Sequence, residues 1–289
     1  LFSMVFIMYP KAQVSANRIQ ELLNAKPLIV SPENGVKETK EQGLVEFDHV
    51  TFTYPDGEEP VLRDISFTAK KGQTVAFIGS TGSGKSTLIN LIPRFYDVTE
   101  GSIKIDGVDV RDYDLKALRN KIGFIPQKTR LFTGTIANNI KFGKKDATQE
   151  EIKHSTKVAQ AYPFIKRKPK QFEEPISEGG ANMSGGQKQR LSIARAVVRK
   201  PEIYIFDDSF SALDFKTDAT LRAKLKEETE ESVVLIVAQR IGSILEADKI
   251  IVLNEGEVVG IGTHSELLNT CQIYNEIALS QLTKEELMQ

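Results

Sequence analysis

Three runs of residues in this sequence carry types and spacings that can do chemistry. The first is GSTGSGKST, residues 79–87, which follows the apolar run TVAFI and precedes the apolar-periodic LINLIPRFY. It satisfies G-x-x-x-x-G-K-[ST] through Gly79, Gly84, Lys85 and Ser86. Glycines at this spacing let backbone N–H groups turn inward around phosphate oxygens. A helix that starts there turns its positive end toward the same oxygens. Lys85 is then placed to reach the β- and γ-phosphates, and the Ser86 hydroxyl to ligate Mg²⁺. We expect Gly79, Ser80, Thr81, Gly82, Ser83, Gly84, Lys85, Ser86 and Thr87 to hold a nucleoside triphosphate.

The second run is IYIFDDSFSALD, residues 203–214, an apolar stretch ending on the adjacent carboxylates Asp207 and Asp208. Asp207 stands where phosphate-loop enzymes keep the carboxylate associated with Mg²⁺. Taken alone, an aspartate at the end of a strand can equally cap a turn. The third run is MSGGQKQRLSIARAVVRKP, residues 183–201. Ser184, Gly185 and Gly186 leave backbone N–H groups free at the start of a long helix, which makes an anion site. Since one phosphate loop already serves this chain, a second phosphate site implies a second nucleotide or a second subunit.

Residue patterning indicates the elements that must position these groups. LVEFDHVTFTY alternates apolar and polar positions like a half-buried strand, and VLRDISFTAKKG repeats the pattern after a PDGEEP turn. Together they predict an antiparallel layer. TVAFIG, KIGFIP, EIYIFDD and VVLIVAQ are short continuous apolar runs separated by helical stretches. Strands buried on both faces of a parallel sheet read this way, which gives the α/β class. Residues 143–200 are helix-like, with a capping box at Thr148–Glu151, and Thr263–Glu266 predicts another. KIIVLNEGEVVGIG reads as a hairpin. Proline, glycine and charge dominate residues 26–43, expected as a linker.

Composition narrows the classes. The chain has 289 residues, 40% of them hydrophobic, which is enough for a sizeable core. Its formal net charge is −1 and no long block of Lys or Arg appears, so there is no electrostatic case for nucleic acid. The single cysteine, Cys271, forms no internal disulfide, which fits a reducing compartment. The chain begins at Leu1, not methionine, and is read as a piece of a longer one. Its opening, LFSMVFIMYP, is shorter than the roughly 20 apolar residues that cross a bilayer and lacks the basic start of a secretion signal. It is either a strand or helix buried in this domain or the cut end of a membrane helix. KAQVSANRIQELLN after it reads as an amphipathic helix.

The run from Met183 to Gln187 resembles the signature segment of ABC ATPases, usually Leu-Ser-Gly-Gly-Gln, with Met183 a mild departure. The resemblance extends from about residue 44 to the end. It implies a phosphate-loop, RecA-like parallel-sheet core with an antiparallel β subdomain, and a helical signature subdomain at about residues 128–200. It implies that Tyr54 stacks on adenine and that Gln127 approaches Mg²⁺ and the attacking water. It also implies that Ser184, Gly185, Gly186 and Gln187 close on ATP held by a partner subunit, with Asp214 reporting across the dimer interface. Ser86, Gln127 and Asp207 become the metal-associated set. QKTRLFTGTIANNIKFG, SEGGANMSGG and GTHSELL are similar to exporter-type members. YPKAQVSANRIQELL resembles the tail of their last transmembrane helix, so residues 1 to about 25 are expected to end a membrane domain of the same chain, with the ATPase domain on the cytoplasmic face.

At two points the sequence leaves the pattern of hydrolytic family members, which carry glutamate after the Walker B aspartate and histidine at a later strand end. Asp208 stands for the glutamate and Gln239 for the histidine, while His49, His154 and His264 lie elsewhere, as surface or capping residues. Asp208 is one methylene shorter, and misplacing a catalytic group by roughly 1 Å can cost about a hundredfold in rate. Gln239 can donate a hydrogen bond to a phosphate but carries no charge, and losing one such contact often costs about 2.7–4 kcal/mol. The two losses need not multiply. The expectation is a pocket that holds Mg-ATP and hydrolyses it slowly, in an asymmetric heterodimer whose other subunit supplies the competent site. The alternatives are a symmetric homodimeric exporter hydrolysing with Asp208, a soluble ABC ATPase acting on nucleic acid or the ribosome, and a nucleotide-binding regulatory domain without turnover.

Overall fold

The computed structural model describes residues 2–281. It divides into two compact units between Val30 and Ser31. The outer limits of the expected domains, residue 1 and residues 282–289, lie outside the described residues.

The first unit is helix α1, Phe2–Asn24, which runs through Pro10. FSMVFIMYP, residues 2–10, and the amphipathic segment after it are therefore one helix. The first of the two readings of that apolar run does not hold, because its side chains are exposed, Phe2 at 85% and Phe6 at 78%. Among the described residues no helix is long and apolar enough to cross a membrane.

In the second unit, strands β1 (Leu44–Phe52) and β2 (Leu62–Lys70) pair antiparallel, as their alternation predicts. β3 (Thr74–Ile78) leads into helix α2 (Lys85–Leu91), and β4 (Glu100–Ile105) and β5 (Val108–Asp109) complete a four-stranded sheet in the order β2-β1-β4-β5. Helix α3 (Leu115–Asn120), capped by Asp114, precedes β6 (Ile122–Ile125). The stretch expected to be helical then carries a short β7 (Gly134–Thr135) as well as α4 (Ile136–Lys141), α5 (Gln149–Val158) and α6 (Tyr162–Lys166). β8 (Pro175–Ile176) pairs with β7 before α7 (Gly185–Val197). β9 (Ile203–Asp207), α8 (Phe215–Glu228), β10 (Val233–Val237), the hairpin β11 (Lys249–Asn254) and β12 (Glu257–Gly262), α9 (His264–Thr270) and α10 (Gln272–Gln281) follow.

The second sheet has the order β12-β11-β3-β10-β9-β6 and is parallel except for β12. Successive residues of β3 face opposite ways, as a strand requires. Val75 and Phe77 enter the core shared with the antiparallel sheet, where Phe67 meets Phe77 edge-on. Ala76 and Ile78 enter the core shared with α7 and α8. A strand committed on both faces cannot alternate apolar with polar, which explains the unbroken run TVAFI.

Residues 26–43 hold no helix or strand. From Ser31 onward, however, they belong to the second unit and are bonded along α3. Val36 exchanges hydrogen bonds with Asp112 and Asp114, Leu115 N donates to Ser31 Oγ, and Thr39 Oγ1 donates to the buried Asp106. Gly35 is required there, since a Cβ would sit 2.4 Å from Asp114 N.

Candidate nucleotide site

Strand register brings the chemically promising residues to one edge. Val237 of β10 lies opposite Phe77 of β3 on one side and opposite Asp207 of β9 on the other. Ile125 of β6 lies opposite Phe206. The four strands are parallel, so their carboxyl ends open side by side. From them emerge Gly79, Asp208, Gln239 and Gln127, and the outlet of such a sheet is where α/β folds bind ligands.

The phosphate loop has the backbone its glycines permit. Gly82 and Gly84 have φ of 85° and 94°, in the left-handed region that side chains avoid. At Gly84 a Cβ would also press on Leu62 Cδ2 at 2.6 Å. Lys85 is nearly buried, and its ammonium donates to Gly79 O at 2.8 Å, Ser80 O at 2.7 Å and Ser83 Oγ at 3.2 Å. Burial pushes it below its ordinary value, opposed by the negative charges of Asp208 and Asp207. Thr81 and Gly82 are exposed at the loop tip.

Ser86 Oγ donates to Asp207 Oδ1 at 3.0 Å, so the two expected metal-associated groups meet. Burial raises the Asp207 carboxyl above its usual range, partly offset by the Ser86 bond. Asp208 has φ of 44°, which turns its carboxylate away from β9, and Gln127 Nε2 donates to its Oδ2 at 3.1 Å. A hydroxyl, a carboxylate and the amide oxygen of Gln127 are hard oxygen donors. Such a set, completed by substrate phosphates and water, suits Mg²⁺. Among the described residues no group of three or more His, Cys, Asp or Glu could hold a metal by itself.

Tyr54 is half-buried, edge-on to Phe52 and Tyr96, and its hydroxyl bonds Thr87 Oγ1 at 2.9 Å. It therefore stands beside the phosphate loop. Gln239 follows β10 with its side chain exposed, and its carbonyl accepts from Gln281 Nε2 at 2.9 Å.

The signature run is built as a helix start. Ser184 caps α7, with its oxygen accepting from Gln187 N and the Gln187 side chain accepting from Ser184 N. This is a third capping box, and its sequence signal is the Ser-x-x-Gln pattern. Gly185 is open to solvent on its Cβ side. Gly186 abuts the SALD turn, where a Cβ would lie 3.2 Å from Ala212 O. Asp214 caps α8 by accepting from Thr217 N at 3.0 Å. Among the described residues no hydrogen bond joins Ser184–Gln187 to residues 79–87. Of the histidines, His49 and His154 are exposed and paired with Asp64 and Glu228, and His264 lies in the first turn of α9 bonded to Tyr274.

A family model described as ABC transporter matches residues 62–211, more than half of the chain. The chain belongs to the ABC transporter family. An uncharacterized ABC transporter ATP-binding protein of Mycobacterium tuberculosis is 45% identical over 96% of this chain and 48% of its own length. A Bacillus subtilis protein whose name provisionally gives it a multidrug export role, as an ATP-binding/permease protein, is 42% identical over 88% and 44%. A solved bacterial Atm1-family ABC exporter with ATP bound superposes with a TM-score of 0.90, at 32% identity, over 97% of this chain and 49% of that one. The chain thus spans about half the length of the relatives it matches. The antiparallel sheet, parallel sheet and helical segment are the ABC ATPase fold of an exporter-type ATP-binding domain.

Proposed function

We propose that the chain is the ATP-binding motor of an ABC exporter, and that its own pocket holds Mg-ATP but hydrolyses it slowly. The phosphate loop, Ser86, Asp207 and Tyr54 supply the binding contacts, and Ser86 and Asp207 would hold a Mg²⁺ that offsets the negative charge of the phosphates. The observation that carries the slow-turnover half is Asp208. Its short carboxylate is engaged by Gln127 at 3.1 Å, and the next strand end offers Gln239, an amide, where a charged or proton-bearing imidazole would brace the γ-phosphate. Neither group can both orient water and carry positive charge.

The signature run forms the capped start of α7, and among the described residues Ser184, Gly185, Gly186 and Gln187 make no hydrogen bond to their own phosphate loop. We assign it to ATP held by a second ABC ATPase subunit, a different chain that supplies the missing glutamate and histidine. Helix α1, with its exposed apolar side chains, is read as the end of the last helix of a membrane domain in the same chain. In this reading the domain lies on the cytoplasmic face, with ATP-driven closure switching the membrane helices. No role for nucleic acid enters this reading.

Purification of the full-length protein from its membrane tests the pairing. The expected result is a complex with a second ABC chain carrying glutamate after its Walker B aspartate. A homodimer with full turnover contradicts it and favours hydrolysis by Asp208. Recovery in the soluble fraction without a membrane partner contradicts the exporter reading altogether.

A further inference from the structure

The residues that leave β6 are tied to two different bodies within six positions. On the core side, Ser209 Oγ donates to Ile125 O at 3.0 Å, and Gln127 Nε2 donates to Asp208 Oδ2 at 3.1 Å. On the helical side, Thr129 Oγ1 donates to Gln189 Oε1 of α7 at 2.6 Å. Arg195 of the same helix donates to Arg130 O at 3.3 Å. Asn139 of α4 clasps Phe132, accepting from its N–H at 2.9 Å and donating to its carbonyl at 2.8 Å. The change of attachment takes place at Lys128, which is exposed, as Gln127 before it is.

Gln189 is an unusual residue to find at that junction. It is 3% exposed, and its Nε2 has no hydrogen-bond partner. Whichever way round the amide sits, one polar end is left over. A buried unpaired amide end costs about 1–3 kcal/mol, which an apolar side chain of the same length would avoid. Gln189 follows Gly185 and Gly186 by four and three positions, so it shares a helix face with the signature glycines. Its bond to Thr129 is therefore a rigid link from the loop of Gln127 to the turn that presents Ser184.

We propose that Gln189, through Thr129, is a positioning residue that fixes the signature turn relative to Gln127, so that the nucleotide state of this pocket sets the geometry offered to the partner's ATP. The inference rests on the functional reading above.

The test uses the full-length protein in its native membrane assembly, with ATP affinity and saturating turnover measured separately. Gln189→Met and Thr129→Val should each lower turnover about tenfold, the worth of one hydrogen bond in a positioned group. Mg-ATP affinity should stay within about twofold, because no phosphate-loop contact changes. Thr129→Ser, which keeps the hydroxyl, should retain turnover. On a Gln127→Ala background, Gln189→Met should cause no further loss, since both act through one path. Losses that multiply, full turnover in Thr129→Val, or a matching fall in ATP affinity would overturn the proposal and leave Gln189 a packing residue. Failure of the unmodified assembly to bind Mg-ATP would overturn the functional reading as well, and that result is visible before any variant is compared.

Discussion

Burial pushes the Lys85 ammonium down and the Asp207 carboxyl up, because it disfavours the charged form of each. For Asp207 the raised value means the folded protein binds that proton more tightly than the unfolded chain. Its contribution to stability is present at acid pH and is lost as pH rises through the raised value. Without nucleotide at pH 7, Asp207→Asn should therefore raise the midpoint of thermal unfolding, and the gain should shrink as pH falls into the carboxylate range. The same variant should weaken Mg-ATP binding, because an amide is a poor Mg²⁺ partner. A lower midpoint at pH 7 would show that the Ser86 bond outweighs the desolvation. Lys85→Met should weaken ATP binding by about ten- to a hundredfold, the worth of a charge-assisted bond, measured by equilibrium titration.

At the scale of elements, the turn at Ser184–Gln187 and the SALD turn touch, and this gives a sharper prediction than either motif alone. Gly186→Ala would place a Cβ 3.2 Å from Ala212 O, so the turn leading to Asp214 must give by a few tenths of an ångström. Turnover should fall in the assembled transporter while ATP affinity in this chain's own pocket is unchanged, and a loss of that affinity would contradict the placement. The parallel strands, the hairpin and the capping boxes at Thr148 and Thr263 were legible because local residue types fix them: continuous apolar runs, a turn, and a Thr-x-x-Glu pattern. The β7–β8 pair was not legible. Two residues on each side, Gly134–Thr135 and Pro175–Ile176, leave no periodicity, and only tertiary packing brings them together. Phosphate-loop residues could be named from spacing alone. The Thr129–Gln189 link could not, since residues 60 positions apart meet only once α7 lies against the end of β6.

Across the whole molecule, the division at Val30 and Ser31 separates an exposed helix from a self-contained fold, and the bonded strap from Ser31 to Thr39 belongs to that fold. Removing residues 1–43 should lower its thermal midpoint by roughly 5–10 °C, at about 1 kcal/mol for each lost hydrogen bond. An unchanged midpoint would show that the strap is only a tether. The sequence pattern suggested a linker there because Pro, Gly and charge are also what a chain needs to lie irregularly along another surface. The account's central claim is that the strand ends of this fold hold ATP well and hydrolyse it poorly because of Asp208 and Gln239. Its most direct test is ATP affinity and steady-state hydrolysis of the natural chain beside Asp208→Glu combined with Gln239→His. The account predicts Mg-ATP binding in both and hydrolysis that rises by about a hundredfold or more in the double variant. Brisk hydrolysis by the natural chain, with no gain from the double change, would contradict it and make aspartate sufficient at this position.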